Sequence, residues 1–309
     1  MMVRLVARRI LRVALMLWVI GSLVFFATRL TGNPIDSLMP EGIDAASRQA
    51  MIAYWGLDGP VSEQYLHFWT ALAHGQFGLG LQERRPVADI FFERTGNSAL
   101  LLLATLAVTV AIGVPGGILA AVWRGRPRGG VVLLLAFLGY ATPNFVLGIL
   151  LILIFSYRLH WLPSSGAAGL AHYVMPTLTL SAFFVASLLR YTRNAMLDVL
   201  SQDYMRTARA KGFTERQTIL RHGLGNAMIP VITALGLQVA TLVSGAVVVE
   251  TVFAWHGVGD LLVNATLHRD YPLLQFGVLA VAAAVVAVNI LVDLAYSAID
   301  PRVRLAEAV

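Results

Sequence analysis

The sequence predicts an all-α polytopic membrane protein with about six transmembrane helices, both termini cytoplasmic, and a helical external loop after helix 1. Three observations predict it. Hydrophobic residues make up 58% of the 309-residue chain and charged residues only 13%, against roughly 45–50% and about 25% in soluble domains. A soluble fold with so little charge could not wet its own surface. Six stretches are apolar over about the 20 residues that a spanning helix needs, at 12–30, 99–123, 131–157, 173–189, 227–249 and 272–292. The basic residues are divided unevenly between the segments that join them. Continuous runs also exclude an outer-membrane barrel, whose strands alternate apolar and polar positions.

Taken in order, the first stretch follows Arg4, Arg8, Arg9 and Arg12, as a secretion signal would. No small-x-small cleavage site follows it, so it reads as a retained span. The segment 31–98 is expected to lie outside as a folded loop. A helix over about 45–55 ends before Gly56, and a second opens at Pro60 and closes at Gly75, using proline and glycine at the ends each favours. Val61, Tyr65, Phe68, Trp69 and Leu72 recur there at helical spacing. The expected organisation is 1–30, 31–98, and a core transmembrane domain over 99–309.

Within that core, Gly113-Val114-Pro115-Gly116-Gly117 interrupts span two and Thr142-Pro143-Asn144 interrupts span three. Such breaks either free backbone carbonyls beside a cavity or let helices pack closely, and the sequence leaves both open. Thr142, Asn144, Ser244, Asn289 and Asp293 are the candidate pathway residues, because polar groups inside spans are costly. Ser244 beside Gly245 reads first as a packing position, and Asp293 as a group near the cytoplasmic interface. Glu250 closes span five and is expected to reach the headgroup region.

Orientation follows from charge. Sixteen basic residues fall in the N-terminus, the loops after spans two and four, and the tail, while seven fall on the other side, five of them between Arg29 and Arg94. Basic loops stay in the cytoplasm, so both termini are expected there. The net charge of +6, carried by 22 Arg and the single Lys211, is read as topology and not as nucleic-acid binding.

The inventory removes several chemistries. There is no cysteine, hence no disulfide, thiol nucleophile or thiolate metal site. Lys211 lies between Ala210 and Gly212, which is not a phosphate-binding turn, so no ATP site of that kind is expected here. None of the seven histidines forms His-x-x-x-His, so zinc-protease chemistry lacks a scaffold. Neither a catalytic centre nor a bound cofactor or metal is expected.

The loop of about 190–228 carries most information. Arg190 to Leu200 extends span four. Asp203 can cap a short helix and Gly212 can end it; Thr214 can cap a second, with Gln217 as its capping-box partner. This segment resembles the Glu-Ala-Ala loop of binding-protein-dependent ABC importer permeases. Arg206-Thr207-Ala208 occupies the Glu-Ala-Ala position, Gly212 the glycine, and, nine residues on, His222-x-Leu224 occupies Ile-x-Leu. The departures at Arg206, Thr207 and His222, with the later Pro230, resemble the dipeptide/oligopeptide/nickel subfamily, in its first-permease type. Phe77-Gly78-Leu79-Gly80, Trp161-Leu162-Pro163, Glu250-Thr251-Val252-Phe253, Arg269-Asp270-Tyr271-Pro272 and Asp300-Pro301-Arg302-Val303-Arg304 extend the resemblance along nearly the whole chain.

The resemblance implies a permease subunit in a prokaryotic inner membrane. A second homologous permease would complete the pathway, two cytoplasmic ATPase subunits would bind ATP, and an extracytoplasmic binding protein would deliver the solute. Asp203, Arg206, Thr207, Ala208, Ala210, Lys211, Gly212, His222 and Leu224 would then couple the chain to an ATPase. Peptides lead as solute, with nickel, glutathione and oligosaccharides open. The competing readings are a stand-alone secondary transporter or channel, for which no such loop is needed, and an intramembrane enzyme.

Overall fold

The computed structural model describes residues 2–30, 46, 49, 52 and 58–299. The expected helix over 45–55 and the Asp300–Arg304 match lie outside the described residues, those three positions apart. In chain order the helices are α1 (Met2–Leu30), α2 (Val61–Ala73), α3 (Val87–Val122), α4 (Pro127–Ala141), α5 (Asn144–Leu151), α6 (Leu170–Leu200), α7 (Asp203–Ala210), α8 (Glu215–Gln217), α9 (Leu224–Val252), α10 (Val258–Leu267) and α11 (Tyr271–Ile299). A π-helical stretch, Ile152–Arg158, continues α5, and another, Thr218–Gly223, joins α8 to α9.

Among the described residues four helices are long and apolar enough to cross a membrane, over Ile10–Leu30, Val87–Val122, Leu170–Leu200 and Tyr271–Val292. The number is six if each of two bent pairs is counted as one span: Pro127–Ala141 with Asn144–Arg158, bent by 103°, and Glu215–Val239 with Thr241–Val252, bent by 48°. The stretch 131–157 is therefore not the single rod that its hydropathy suggests. Thr142 is extended (φ −82°, ψ 121°), as a residue before proline tends to be, and Pro143 follows at ψ 137°. Two successive extended residues turn the chain.

The chain forms two compact units, Met1–Gly96 with Gly257–Val286 and Asn97–His256 with Ala287–Val309. In the first, Val87, Ile90 and Phe91 pack with Val258, Leu261, Ala265 and Leu273. Pro60 precedes α2 and Gly75 follows it at φ 73°, as the sequence suggested. Aromatic rings join α1 to α2: Phe25 meets Tyr65 and Phe68 at 5.3 and 5.5 Å, and the Ser22 and Tyr65 hydroxyls share a 2.7 Å hydrogen bond. Asp270 staples the turn before α3 to the start of α11, accepting from the N–H groups of Leu81 (2.9 Å), Gln82 (3.4 Å) and Leu273 (3.3 Å). Helix α10 was not anticipated. Its signal was present, since Val258, Leu261, Leu262 and Ala265 follow the i, i+3, i+4, i+7 pattern.

In the second unit α6 is central, packing on α9, α4 and α5. Met175, Leu180 and Phe184 meet Leu242, Ala246, Val249, Phe253 and Trp255. Further along, Leu188, Ala195 and Met196 meet Ile219, Ala227 and Val231. The Gly-Val-Pro-Gly-Gly run does not break α3. It lets α3 approach α6: a Cβ on Gly117 would stand 2.5 Å from Thr192 Cβ and 2.6 Å from the Leu189 carbonyl. Gly245 likewise faces Leu180, 3.3 Å from the Cβ it lacks. Glu250 departs from expectation. It is 1% exposed, and Ser98 Oγ donates to its Oε1 at 2.6 Å. Instead of reaching headgroups it is enclosed near Trp255, whose Nε1 donates to the Asn97 carbonyl at 3.2 Å.

Candidate functional site

Most of the segment of about 190–228 is helical. Helix α6 runs to Leu200, and Glu215 already begins the helix that continues through the π-helical stretch into α9. Only residues 201–214, most of them in α7, lie between. Gln202, not Asp203, takes the extended cap position, and Asp203 is the first helical residue. It still sets negative charge at the helix N-terminus, where the dipole favours it, and pairs with Arg206 at 3.6 Å. Thr207 Oγ1 donates to the Asp203 carbonyl at 3.1 Å.

The end of α7 is closed by the backbone. Gly212 lies at φ 86°. Its N–H donates to the Arg209 carbonyl at 3.0 Å, and that of Phe213 to the Ala208 carbonyl at 3.4 Å, the paired bonds of a Schellman motif. The next helix opens with the anticipated capping box: Gln217 N–H donates to Thr214 Oγ1 at 3.3 Å, and Thr214 N–H to Gln217 Oε1 at 3.1 Å.

Burial sorts the candidates. Arg206, Thr207, Ala210, Lys211 and Gly212 are exposed, whereas Ala208 is 5% exposed and Met205 fully buried. Ala208, expected among the residues that couple to an ATPase, therefore does not lie on a free face of α7. Met205, which sequence reasoning missed, is the anchor: its Cε stands 3.2 Å from where a Gly223 Cβ would be. Thr218 and Ile219 are buried as well, and Asn226 Nδ2 donates to Tyr204 Oη at 3.0 Å. His222 is half-buried with its ring 5.2 Å from that of Phe213, and Leu224 is half-buried as the first residue of α9. Arg209 Nε donates to Glu215 at 2.7 Å across the turn. The result is a short basic ledge tied at both ends to long helices.

The pathway candidates separate. Thr142 and Asn144 line a cavity of about 420 Å³ at the bend between α4 and α5, with Tyr140, Phe184, Thr241 and Gly245. Thr142 Oγ1 donates to the Leu138 carbonyl at 2.8 Å. Ser244 and Asn289 are exposed, and Ser244 does not line that cavity. The Asp293 side chain lies outside the described residues.

Residues 113–305 match the family described as the binding-protein-dependent transport system inner membrane component. The chain is 41% identical over 304 residues to the glutathione transport system permease protein GsiC of Escherichia coli, covering 98% of this chain and 99% of that one. The GsiC protein of Shigella dysenteriae matches equally. A structure of the MetNI methionine ABC transporter in an inward-facing conformation superposes with a TM-score of 0.60 at 17% identity, over 70% of this chain and 98% of that one. An amino acid ABC transporter with histidines gives 0.51 at 15%, over 70% and 94%. These two likenesses concern the fold. The chain belongs to the binding-protein-dependent transport system inner membrane components: it is an inner-membrane permease subunit of an ATP-binding-cassette importer, not an enzyme, of a kind that works with ATPase, substrate-binding and second permease partners.

Proposed function

We propose that this permease carries small peptide-like solutes, glutathione among them, along a path shared with a second, homologous permease. The full-length 41% identity to GsiC supports that solute class. Both termini face the cytoplasm in this reading, and two ATPase subunits there supply the energy.

The observation that carries the coupling role is the ledge of α7. It is short, exposed along Arg206, Thr207, Ala210 and Lys211, and anchored through Met205. Force applied to such a segment passes directly into α6 and α9. Asp203, Ala208, Gly212, His222 and Leu224 act in support, holding its ends and inner face. Thr142 and Asn144 line the path at the α4–α5 bend, where the break in the helix borders a cavity. Ser244, Asn289 and Asp293 are further candidates for it.

The test is reconstitution of the complete complex in vesicles. ATP hydrolysis is expected to rise when loaded binding protein is added, and labelled dipeptide uptake to be competed by glutathione. Uptake competed neither by unlabelled dipeptide nor by glutathione would refute the solute assignment. Stoichiometric ATP binding by the isolated chain would refute the division of labour.

A further inference from the structure

Within the first compact unit a cavity of about 540 Å³ is bounded by groups of three kinds. Phe68, Leu72, Phe77 and Phe276 make its wall apolar, Arg29 contributes a cation, and Asp58 and Glu63 contribute carboxyl groups. Arg29 lies one residue from the end of the apolar stretch Ile10–Leu30, which places it near the boundary between hydrocarbon and water. Its guanidinium is half-buried, 4.6 Å above the Phe25 ring and 5.9 Å from that of Tyr271. Arg29 Nε donates to Gln64 Oε1 at 2.8 Å, and Gln64 Nε2 donates to the Gly59 carbonyl at 2.8 Å. The cation is thus held in place by a neutral group.

Among the described residues no carboxylate pairs with Arg29. Asp58 and Glu63 are exposed and share the cavity without reaching it. A partly desolvated guanidinium without an anion is unfavourable, so it favours a ligand that brings one, and its fork fits phosphate. Two carboxylates on the same wall repel a ligand that is wholly anionic and accept one that also carries an ammonium group. Aromatic walls at the end of a span suit hydrocarbon. We propose that this cavity holds the headgroup of a zwitterionic aminophospholipid, with its phosphate on Arg29, its ammonium toward Asp58 and Glu63, and an acyl chain along the phenylalanines. A soluble peptide also carries both charges, but it has no use for so apolar a wall beside a span.

The experiment is native mass spectrometry of the intact complex from nanodiscs of phosphatidylethanolamine or phosphatidylglycerol with identical acyl chains. Wild type is expected to retain phosphatidylethanolamine more strongly than phosphatidylglycerol. Arg29→Gln should weaken that retention by about tenfold or more, the effect of one charge-assisted hydrogen bond, and Arg29→Lys by less. Leu72→Trp fills the cavity and keeps the charge, so it should also lose the lipid, and it decides the matter if Arg29→Gln does not fold. Equal retention of the two lipids, or undiminished retention in the variant that folds, overturns the assignment. Displacement of the lipid by added dialanine overturns it too, in favour of a soluble zwitterion.

Discussion

At Gly212 the backbone adopts φ 86°, where a side chain costs about 1–2 kcal/mol. A Cβ there meets nothing within 4 Å, so the cost is conformational and not steric. Gly212→Val should undo the Schellman closure and lower uptake by about tenfold, while Gly212→Asn, which tolerates this region, should keep most of it. Equal uptake by the Val and Asn variants would show that the cap does not matter. Asp270 allows a test of stability against pH. Burial raises its pKa above the ordinary carboxylate value, although N–H bonds from Leu273, Gln82 and Leu81 pull it down. The folded state therefore holds this proton more tightly than the unfolded state. Stability from this group is full below the ordinary value of about 4 and is lost as pH rises through the raised one. Melting temperature should show that slope in wild type and lose it in Asp270→Asn. Asp270→Ala should cost about 1–3 kcal/mol for each N–H left buried without a partner.

Elements were legible where their signals are local. Pro60, Gly75, Gly212 and the Thr214–Gln217 box each act within a few residues, and each does what its chemistry suggests. The Thr142-Pro143-Asn144 break was visible, but its 103° angle depends on two successive extended residues. Long-range burial was not legible. Glu250 looked like an exposed end group because its partner Ser98 lies 152 residues away. Ala208 looked like part of a free docking face because nothing local says that Met205 turns that side of α7 inward. Burial therefore divides two substitutions on α7. Ala208→Asp places a charge in a buried position and should lower the melting temperature of the complex as well as uptake. Ala210→Asp changes an exposed position and should shift stability by less than about 0.5 kcal/mol. Any loss of ATPase stimulation in Ala210→Asp then reports seating on the ATPase alone. Full stimulation with normal subunit association would remove α7 as the coupling surface.

For the whole molecule, composition was sufficient to establish a membrane protein, and the order of motifs to suggest the family, but neither fixes sidedness. Sidedness rests on charge: sixteen basic residues against seven. Basic loops resist translocation, and the rule is strongest for short loops near span ends. Five of the seven opposing residues lie between Arg29 and Arg94, in or beside a segment long enough to cross largely regardless of charge. The effective imbalance is therefore larger than the raw one. A chain without cysteine makes this measurable, because any introduced thiol is unique. Ser62 is exposed on α2 and Ser201 is exposed just beyond α6, on opposite sides in the proposed orientation. In intact cells an impermeant maleimide should label Ser62→Cys and leave Ser201→Cys untouched until lysis. The reverse pattern would place α7 outside, beyond the reach of any cytoplasmic ATPase, and would overturn both the orientation and the coupling role that depends on it.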